Sequence, residues 1–202
     1  VRKKSRRHIL ASLKAASWMD AKRVVVHAGS ARKVRRERAL ELALKELQIV
    51  LKEADEEGLG HINICPEVLG KINQLGNLEE VIEMCLLDER LIPTIDFGHI
   101  YARSRGVLNS EKDFVQVFDY IEEKLGKKRM QNIHIHFSRI EFTEAGEKKH
   151  HTFADSQYGP EFIHLAKAII KKQAQPIIIC ESRGTMAEDA LTMKEIYSSL
   201  LN

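Results

Sequence analysis

Short apolar runs alternate along the chain with longer segments in which apolar residues recur at helical spacing. The longer segments cover residues 6–17, 35–57, 78–86, 111–124, 160–173 and 187–201. Leu40, Leu44, Leu47 and Leu51 show this spacing, which places one apolar stripe along a helix. The short runs cover residues 24–26, 62–65, 92–95, 133–135 and 176–180, and their length and β-branched residues predict strands.

Strands that alternate with helices predict an α/β protein with a parallel sheet. The pattern alone leaves open whether that sheet closes into a barrel or stays open with helices on both faces. The 202 residues, of which 44% are hydrophobic and 30% charged, suffice for one core. Since no linker or low-complexity segment interrupts the pattern, we expect a single domain over residues 1–202.

Every predicted strand runs straight into a residue that can bind a metal ion. These residues are His27, Glu67, Asp96, His136 and Glu181. With 29 acids and 9 histidines among 202 residues, five matches in five strands are poorly explained by chance. The carboxyl ends of barrel strands are where catalytic groups gather, so we expect these side chains at one mouth. Imidazoles mixed with several carboxylates favour zinc or manganese, in a cluster of two or three ions.

Three further histidines follow the predicted strand ends. His99 comes three residues after Asp96, where the strand is expected to turn into a loop. His150 and His151 are expected in the loop after the His136 strand, next to two lysines. Each residue taken alone fits a solvated loop, just as a single strand-end acid fits a helix N-cap. Their place beside the predicted rim favours a role in the cluster.

Two segments of the chain resemble a known family. Residues 91–99, LIPTIDFGH, are similar to the Asp-x-x-His segment of endonuclease IV (AP endonuclease family 2), and residues 27–30, HAGS, are similar to its His-Pro-Gly-Ser segment. The resemblance spans His27 to Glu181 and implies a (β/α)8 TIM barrel of the endonuclease IV and xylose isomerase type. The five strands match the fourth to eighth of that barrel, so we expect the first three βα units to be missing. The start at Val1, without Met or leader, also looks like a cut end.

The resemblance further implies a role for each candidate residue, because that family holds three metal ions at the barrel mouth. On this basis Glu67 bridges the first and second ions, and His27 is a further ligand of the first. The second ion is also bound by Asp96, His136 and Glu181. The third ion is bound by His99 and His150.

One ligand of the third ion departs from the family pattern. The family has an Asp two residues before the loop histidine, and here that position is Lys148. Glu147 is the nearest acid. The number of ions, two or three, therefore depends on whether another carboxylate takes the place of the missing Asp.

The activity implied by the resemblance is zinc-dependent hydrolysis of the phosphodiester next to an abasic site in DNA, a step of base excision repair. Metal-bound hydroxide attacks the phosphate in such a reaction, with Glu67 as a secondary base, and manganese is an alternative to zinc. A xylose isomerase-like sugar isomerase or epimerase is the main alternative function, since that class also surrounds a divalent metal with Glu, Asp and His. The Asp96 and His99 pair favours the nuclease, because a single-metal isomerase needs fewer histidines. A metal-binding barrel that has lost its chemistry is the third hypothesis, and Lys148 is its best argument.

The positive charge of the N-terminal segment is relevant to whether the protein binds DNA. The first 38 residues carry thirteen Lys and Arg against two acids, Asp20 and Glu37, although the net charge of the chain is only +3. This excess fits either contacts with DNA phosphates or a solvated helix face. Trp18 is the one nearby aromatic side chain that could fill an abasic gap.

The remaining expectations concern location and assembly. No run reaches the roughly 20 apolar residues of a membrane span, and no secretory signal is recognisable, so we expect a cytoplasmic protein. Cys65, Cys85 and Cys180 lie in apolar runs, which predicts core residues in a reducing compartment. A five-strand arc would leave open edges at residues 24–26 and 177–179, and we therefore expect self-association of the incomplete barrel.

Overall fold

The computed structural model describes residues 2–31 and 34–201. Within them the strands are β1 Arg23–Val26, β2 Asn63–Pro66, β3 Thr94–Asp96, β4 His134–Phe137, β5 Arg139–Thr143, β6 Gly146–His151 and β7 Ile177–Cys180. The helices are α1 Arg2–Trp18, α2 Arg36–Glu56, α3 Leu78–Cys85, α4 Phe97–Arg103, α5 Glu111–Leu125, α6 Lys127–Gln131, α7 Phe162–Lys172 and α8 Met186–Ser199. Arg32 and Lys33, two of the thirteen basic residues in the N-terminal stretch, lie outside the described residues.

All five predicted strands are confirmed, as β1, β2, β3, β4 and β7, and they pair in parallel. β1 pairs with β2, and β4 lies between β3 and β7. Helices separate the consecutive strands of each parallel pair, as the hydrophobic pattern predicted. The chain is therefore an α/β protein with parallel sheets.

The chain forms two compact units. The first comprises Val1–Glu67 and Asn73–Pro93, and the second comprises Val68–Ile72 and Thr94–Asn202. The prediction of a single domain over residues 1–202 stays a prediction, and each unit is described by itself.

In the first unit, α1 and α2 pack together beside the β1 and β2 pair. Leu13 of α1 and Val50 of α2 are fully buried at this packing, and Ile64 of β2 is almost so. The side chain of Arg36, at the start of α2, binds Glu80 of α3 at 2.5 Å and so links the two helices. Burial raises the pKa of the Cys65 thiol to about 12, because an ionised sulfur would lose its hydration there.

In the second unit, β4 divides its side chains between two faces of the sheet. Phe137 packs against Phe162 of α7 with ring centroids 5.1 Å apart, so this face is covered by the helix. His134 and His136 alternate with it and point to the opposite face. The aromatic core beneath the sheet also includes Phe97 and Phe114, whose rings lie 5.1 Å apart.

Two expectations about local structure were wrong. His150 and His151 do not lie in a loop, since they end β6, which forms an antiparallel hairpin with β5. His99 does not lie in a loop either, because β3 passes directly into α4. Asp96 caps that helix by accepting a hydrogen bond from the backbone N–H of His99 at 2.8 Å.

Helix boundaries differ from the predicted ones at two N-termini. α1 begins at Arg2 rather than at residue 6, since Lys and Arg favour helix even where no apolar residue marks the start. α7 begins at Phe162 rather than at residue 160, because Glu161 holds an extended conformation before it. In the described part of the chain, no helix combines the length and apolarity needed to cross a membrane.

Candidate metal centre

His27 and Glu67 meet at the ends of β1 and β2 in the first unit. Val26 is aligned with Pro66 in the parallel pair, so the next residue of each strand lies beside the other. The backbone N–H of Glu67 donates to the Val26 carbonyl at 3.1 Å, and His27 Nε2 lies 2.9 Å from Glu67 Oε2. The Glu67 side chain is 3% exposed and that of His27 is 64% exposed. The carboxylate is thus held by the fold while the imidazole faces solvent.

Asp96, His136 and Glu181 meet in the second unit for the same geometric reason. Asp96 is aligned with His136, and the backbone N–H of Glu181 donates to the Phe137 carbonyl at 3.0 Å. One ligand atom from each of the three side chains lies within 4.8 Å of the other two. His136 Nδ1 lies 3.0 Å from Glu181 Oε1. Two carboxylates and one imidazole therefore share one end of the sheet.

His99 is oriented by the backbone of the segment Val68–Ile72. Its Nδ1 lies 2.8 Å from the Val68 carbonyl oxygen, and since a carbonyl only accepts, this nitrogen carries a proton. The other nitrogen, Nε2, lies 3.4 Å from Glu147 Oε2. In the neutral ring Nε2 is an acceptor facing a carboxylate acceptor. A cation between them, either a metal ion or a second proton, satisfies both groups.

His150 approaches the same carboxylate from the hairpin. Its Nε2 lies 3.7 Å from Glu147 Oε1, and its ring centroid is 5.3 Å from that of His99. Its Nδ1 lies 2.8 Å from the hydroxyl of Ser138 and 4.0 Å from Glu181 Oε2. One ligand atom each from His99, His150 and Glu181 lies within 4.8 Å of the others. Glu181 therefore belongs to both groups of candidate ligands in the second unit.

A β-bulge explains why Glu147, and not Lys148, reaches the histidines. Glu141 is aligned with Lys149 and the next residue, Phe142, with Glu147, so Lys148 is the extra residue of β6. In a regular strand residues 148 and 150 would share a face, whereas the bulge brings Glu147 to the face of His150. Lys148 turns away and binds Glu141 at 2.6 Å. The bulge thus places the Glu147 carboxylate beside His99 and His150.

Gly70 permits the close approach of the segment Val68–Ile72 to these ligands. A Cβ at this position would lie 2.5 Å from the Glu147 Cβ and 2.8 Å from the His99 Cδ2, both too close. The Glu147 backbone N–H donates to the Gly70 carbonyl at 3.1 Å. Arg103 of α4 donates to two further carbonyls of the segment, those of Leu69 and Lys71, both at 2.9 Å. The segment is therefore held by hydrogen bonds from both β6 and α4.

His151 has a different surrounding from its neighbour His150. Its two ring nitrogens lie 3.4 Å from Glu141 Oε2 and 3.3 Å from Asp155 Oδ2. Its ring stacks on Tyr158 with centroids 3.9 Å apart. Successive residues of a strand point to opposite faces, so only one of the two histidines can join the ligands.

The structure thus brings the candidate residues into two sets. The first unit holds His27 with Glu67, and the second holds Asp96, His99, His136, His150 and Glu181. Their roles as metal ligands, and the catalytic role of Glu67, stay predictions. The donor set itself fits a metal such as zinc, since it combines imidazole nitrogens with carboxylate oxygens.

Sequence reasoning did not identify Ser138, nor the place of Glu147 beside the histidines. Ser138 is fully buried and follows His136 by two residues, a spacing that could have suggested a side chain at the same sheet end. Glu147 was noted only as the nearest acid, because its contact with the histidines depends on the bulge. The sequence carries no signal for the Val68 carbonyl, which acts through the backbone.

Comparison with known proteins gives a family and a fold. A family model described as xylose isomerase-like TIM barrel matches residues 1–196. An uncharacterized protein of Methanocaldococcus jannaschii is 32% identical over 179 residues, which are 89% of this chain and 64% of that protein. The chain therefore spans less than two thirds of the length of this relative.

Solved structures with the same fold come from different enzyme classes. Endonuclease IV from Thermus thermophilus matches with a TM-score of 0.65 and 21% identity, over 98% of this chain and 68% of its own. A D-tagatose 3-epimerase-like protein matches with a TM-score of 0.64 and 20% identity, over 99% and 69%. At these identities the likenesses show the fold alone.

Proposed function

The chain belongs to the xylose isomerase-like TIM-barrel family, and on that premise we propose that it is a metal-dependent phosphodiesterase of the endonuclease IV type. Its proposed substrate is DNA with abasic sites, cleaved in base excision repair. The proposal concerns the whole protein, since this chain spans 64% of the length of the curated relative that it matches.

One observation carries the proposal. Glu181 belongs to two adjacent groups of ligands in the second unit, one with Asp96 and His136 and the other with His99 and His150. A single divalent ion does not need two such groups, whereas a shared carboxylate is the usual bridge between neighbouring ions. Two ions placed side by side suit phosphodiester cleavage, because charge develops on both the attacking and the leaving oxygen.

The proposed ions are zinc, with manganese as the alternative. His99, Glu147 and His150 would hold one ion and Asp96, His136 and Glu181 another. His27 and Glu67 would supply a further pair of ligands in the first unit. When bound, such ions supply a nucleophilic hydroxide near neutral pH and neutralise phosphate charge. The chain itself contributes placement: Val68 and Ser138 orient His99 and His150 through their ring nitrogens.

Metal content and nicking test the proposal together. Freshly purified protein should contain about two zinc or manganese ions by mass spectrometry, and His136→Ala and Asp96→Ala should each lower that number. The protein should nick duplex DNA 5′ to an abasic site and lose this activity on chelation. Glu67→Gln should abolish nicking, if Glu67 bridges ions or acts as a base. Unchanged metal content in both alanine variants would contradict the cluster.

A sugar isomerase or epimerase is the second candidate function. The group Asp96, His136 and Glu181 is by itself enough for one divalent ion, and one of the matching structures is a D-tagatose 3-epimerase-like protein. This function predicts one bound ion and turnover of a keto-sugar without nicking. It also predicts that His150→Ala leaves turnover intact, because His150 belongs to the other group.

A metal-binding barrel without activity is the third candidate. Its main argument was Lys148, and that argument weakens because Glu147 offers a carboxylate in its place. Full metal content with neither nicking nor sugar turnover would favour it. The three cysteines are buried thiols, and we propose a reducing compartment, the cytoplasm, as the place of action.

A further inference from the structure

α1 is the most strongly basic element of the described chain. Its seventeen residues include Arg2, Lys3, Lys4, Arg6, Arg7 and Lys14, and they include neither Asp nor Glu. Six like charges on a helix about 25 Å long repel one another unless anions lie near them. The neighbouring helix α2 supplies some of these anions.

The contacts with α2 and Glu57 neutralise only some of these charges. Arg2 and Arg6 reach the same carboxylate, that of Glu46, at 3.5 and 2.6 Å. Lys14 binds Glu57, just beyond the end of α2, at 2.8 Å. At 100° per residue, Arg2 and Arg6 lie near the buried Leu13, whereas Lys14 lies towards the solvent side and reaches Glu57 with its long side chain. The other cationic side chains of α1 face solvent.

Lys3, Lys4 and Arg7 are the remaining cationic residues of α1. All three are exposed, and in the described part of the chain no acidic side chain forms a salt bridge with them. At 100° per residue, Lys4 and Arg7 fall on the side of the helix opposite the fully buried Leu13. Trp18 falls on the same outward side and is 84% exposed.

Ala11 and Lys14 lie between Arg7 and Trp18 on this outward side, and the Lys14 amine is turned to Glu57. Ala11 is exposed, and a methyl group leaves room for a partner to approach the helix closely. We define the basic face of α1 as Lys3, Lys4, Arg7, Ala11 and Trp18. It presents three long cationic side chains at one end and one aromatic ring at the other.

We propose that the basic face of α1 binds the phosphate backbone of nucleic acid. The inference rests on the proposed function, which supplies the polyanion. Lys and Arg side chains on one helix can contact backbone phosphates without reading sequence. A membrane surface fits less well, since an interfacial helix must bury its apolar face in lipid. Here the apolar face of α1 is already buried in protein through Leu13 and Ala16.

Binding of intact duplex DNA tests the inference without catalysis. The protein is stripped with chelator and titrated with a duplex of about 20 base pairs that has no abasic site, so a failure to bind is distinct from a failure to nick. The triple variant Lys3→Ala, Lys4→Ala, Arg7→Ala should bind at least about tenfold more weakly at about 0.1 M salt. The slope of log affinity against log salt should fall by about two to three, roughly one unit for each lost phosphate contact.

A matched control removes the same charge elsewhere. Lys127, Lys128 and Lys167 are exposed lysines outside α1, and their replacement by alanine should change neither the affinity nor the slope. Equal loss in both triple variants would overturn the inference, because it would show a general effect of net charge. Binding of anionic vesicles, but not of the duplex, to the basic face would also overturn it.

Trp18 provides an independent readout of location. It is the only tryptophan of the chain, so its fluorescence reports on the end of α1 alone. Saturating duplex should change the emission of the wild-type protein, and the same DNA concentration should change that of the α1 variant less. An emission unchanged at saturation would show that DNA binds elsewhere and would overturn the proposal.

Discussion

Replacement of Glu147 by Gln tests whether the hairpin supplies a ligand to the proposed metal centre. The substitution keeps the size of the side chain and removes its charge. Glu147 lies 3.4 Å from His99 Nε2 and 3.7 Å from His150 Nε2, so this carboxylate of the hairpin faces both rings. If a metal ion is held there, the variant loses the anionic ligand that β6 contributes to that set.

The magnitude follows from the position of the carboxylate. Loss of a residue that merely supports a ligand weakens metal binding by about 10- to 100-fold, so loss of the ligand itself should cost at least about 100-fold. At saturating metal this equals about 2.7 kcal/mol of lost stabilisation, since binding to the native state stabilises it by RT ln(1 + [L]/Kd). For a chain of this size, the metal-dependent gain in Tm should shrink by about 5 to 11 °C.

Thermal unfolding with and without zinc measures this gain directly. Wild type and Glu147→Gln are compared in chelator and in excess zinc, and the difference between the two conditions is taken for each protein. Lys148→Gln is the matched control, because Lys148 is adjacent on the same strand and binds Glu141 instead. The control should keep the full zinc-dependent gain. A reduced gain in Lys148→Gln with a normal gain in Glu147→Gln would refute the bulge as the origin of the ligand.

Three further predictions address other parts of the chain. Gly70→Ala should lower zinc content to the level of Glu147→Gln, because its Cβ would push against Glu147; normal zinc content would contradict the close approach. Cys65→Ala should lose less stability between about pH 8 and pH 10 than wild type, by about 1 kcal/mol in urea unfolding. The pKa of the thiol is about 12 in the folded state, against its ordinary value of 9.0 in the unfolded chain. The unfolded chain therefore ionises first, and the stability of the wild type falls as the pH rises above that lower value. The double variant Ile177→Lys, Ile179→Lys should be more monomeric than wild type in sedimentation velocity, because the two isoleucine side chains are 47% and 45% exposed on an edge strand. A wild-type protein that is already monomeric would contradict the self-association expected from the open edge.

The sequence predicted the parallel strands because their signal is local. The runs at residues 24–26 and 133–135 are short and β-branched, and each is followed by a histidine that the structure places at the strand end. Alignment of neighbouring parallel strands then brings the side chains together without further information. This explains why strand-end reasoning identified the residues that meet in each unit.

The β5 and β6 hairpin could not be predicted in the same way. β6 contains Glu147, Lys148 and His150 but almost no apolar residue, so the period of two that marks a strand is absent. One of its faces carries candidate ligands instead of core residues. The bulge at Lys148 depends on how β6 pairs with β5. The register between two strands cannot be read from the sequence of either strand alone.

The short segment Val68–Ile72 affects how the polypeptide can be divided. The chain leaves the first compact unit after Glu67, returns to it at Asn73 and leaves it again after Pro93, so neither unit is a contiguous stretch of sequence. A fragment beginning at Thr94 would contain His99 but not the carbonyl that fixes its proton. Exchange of gene fragments at this boundary would separate the candidate ligand His99 from the Val68 carbonyl that orients it. A chain divided there would regain the oriented imidazole only through complementation between fragments 1–93 and 94–202.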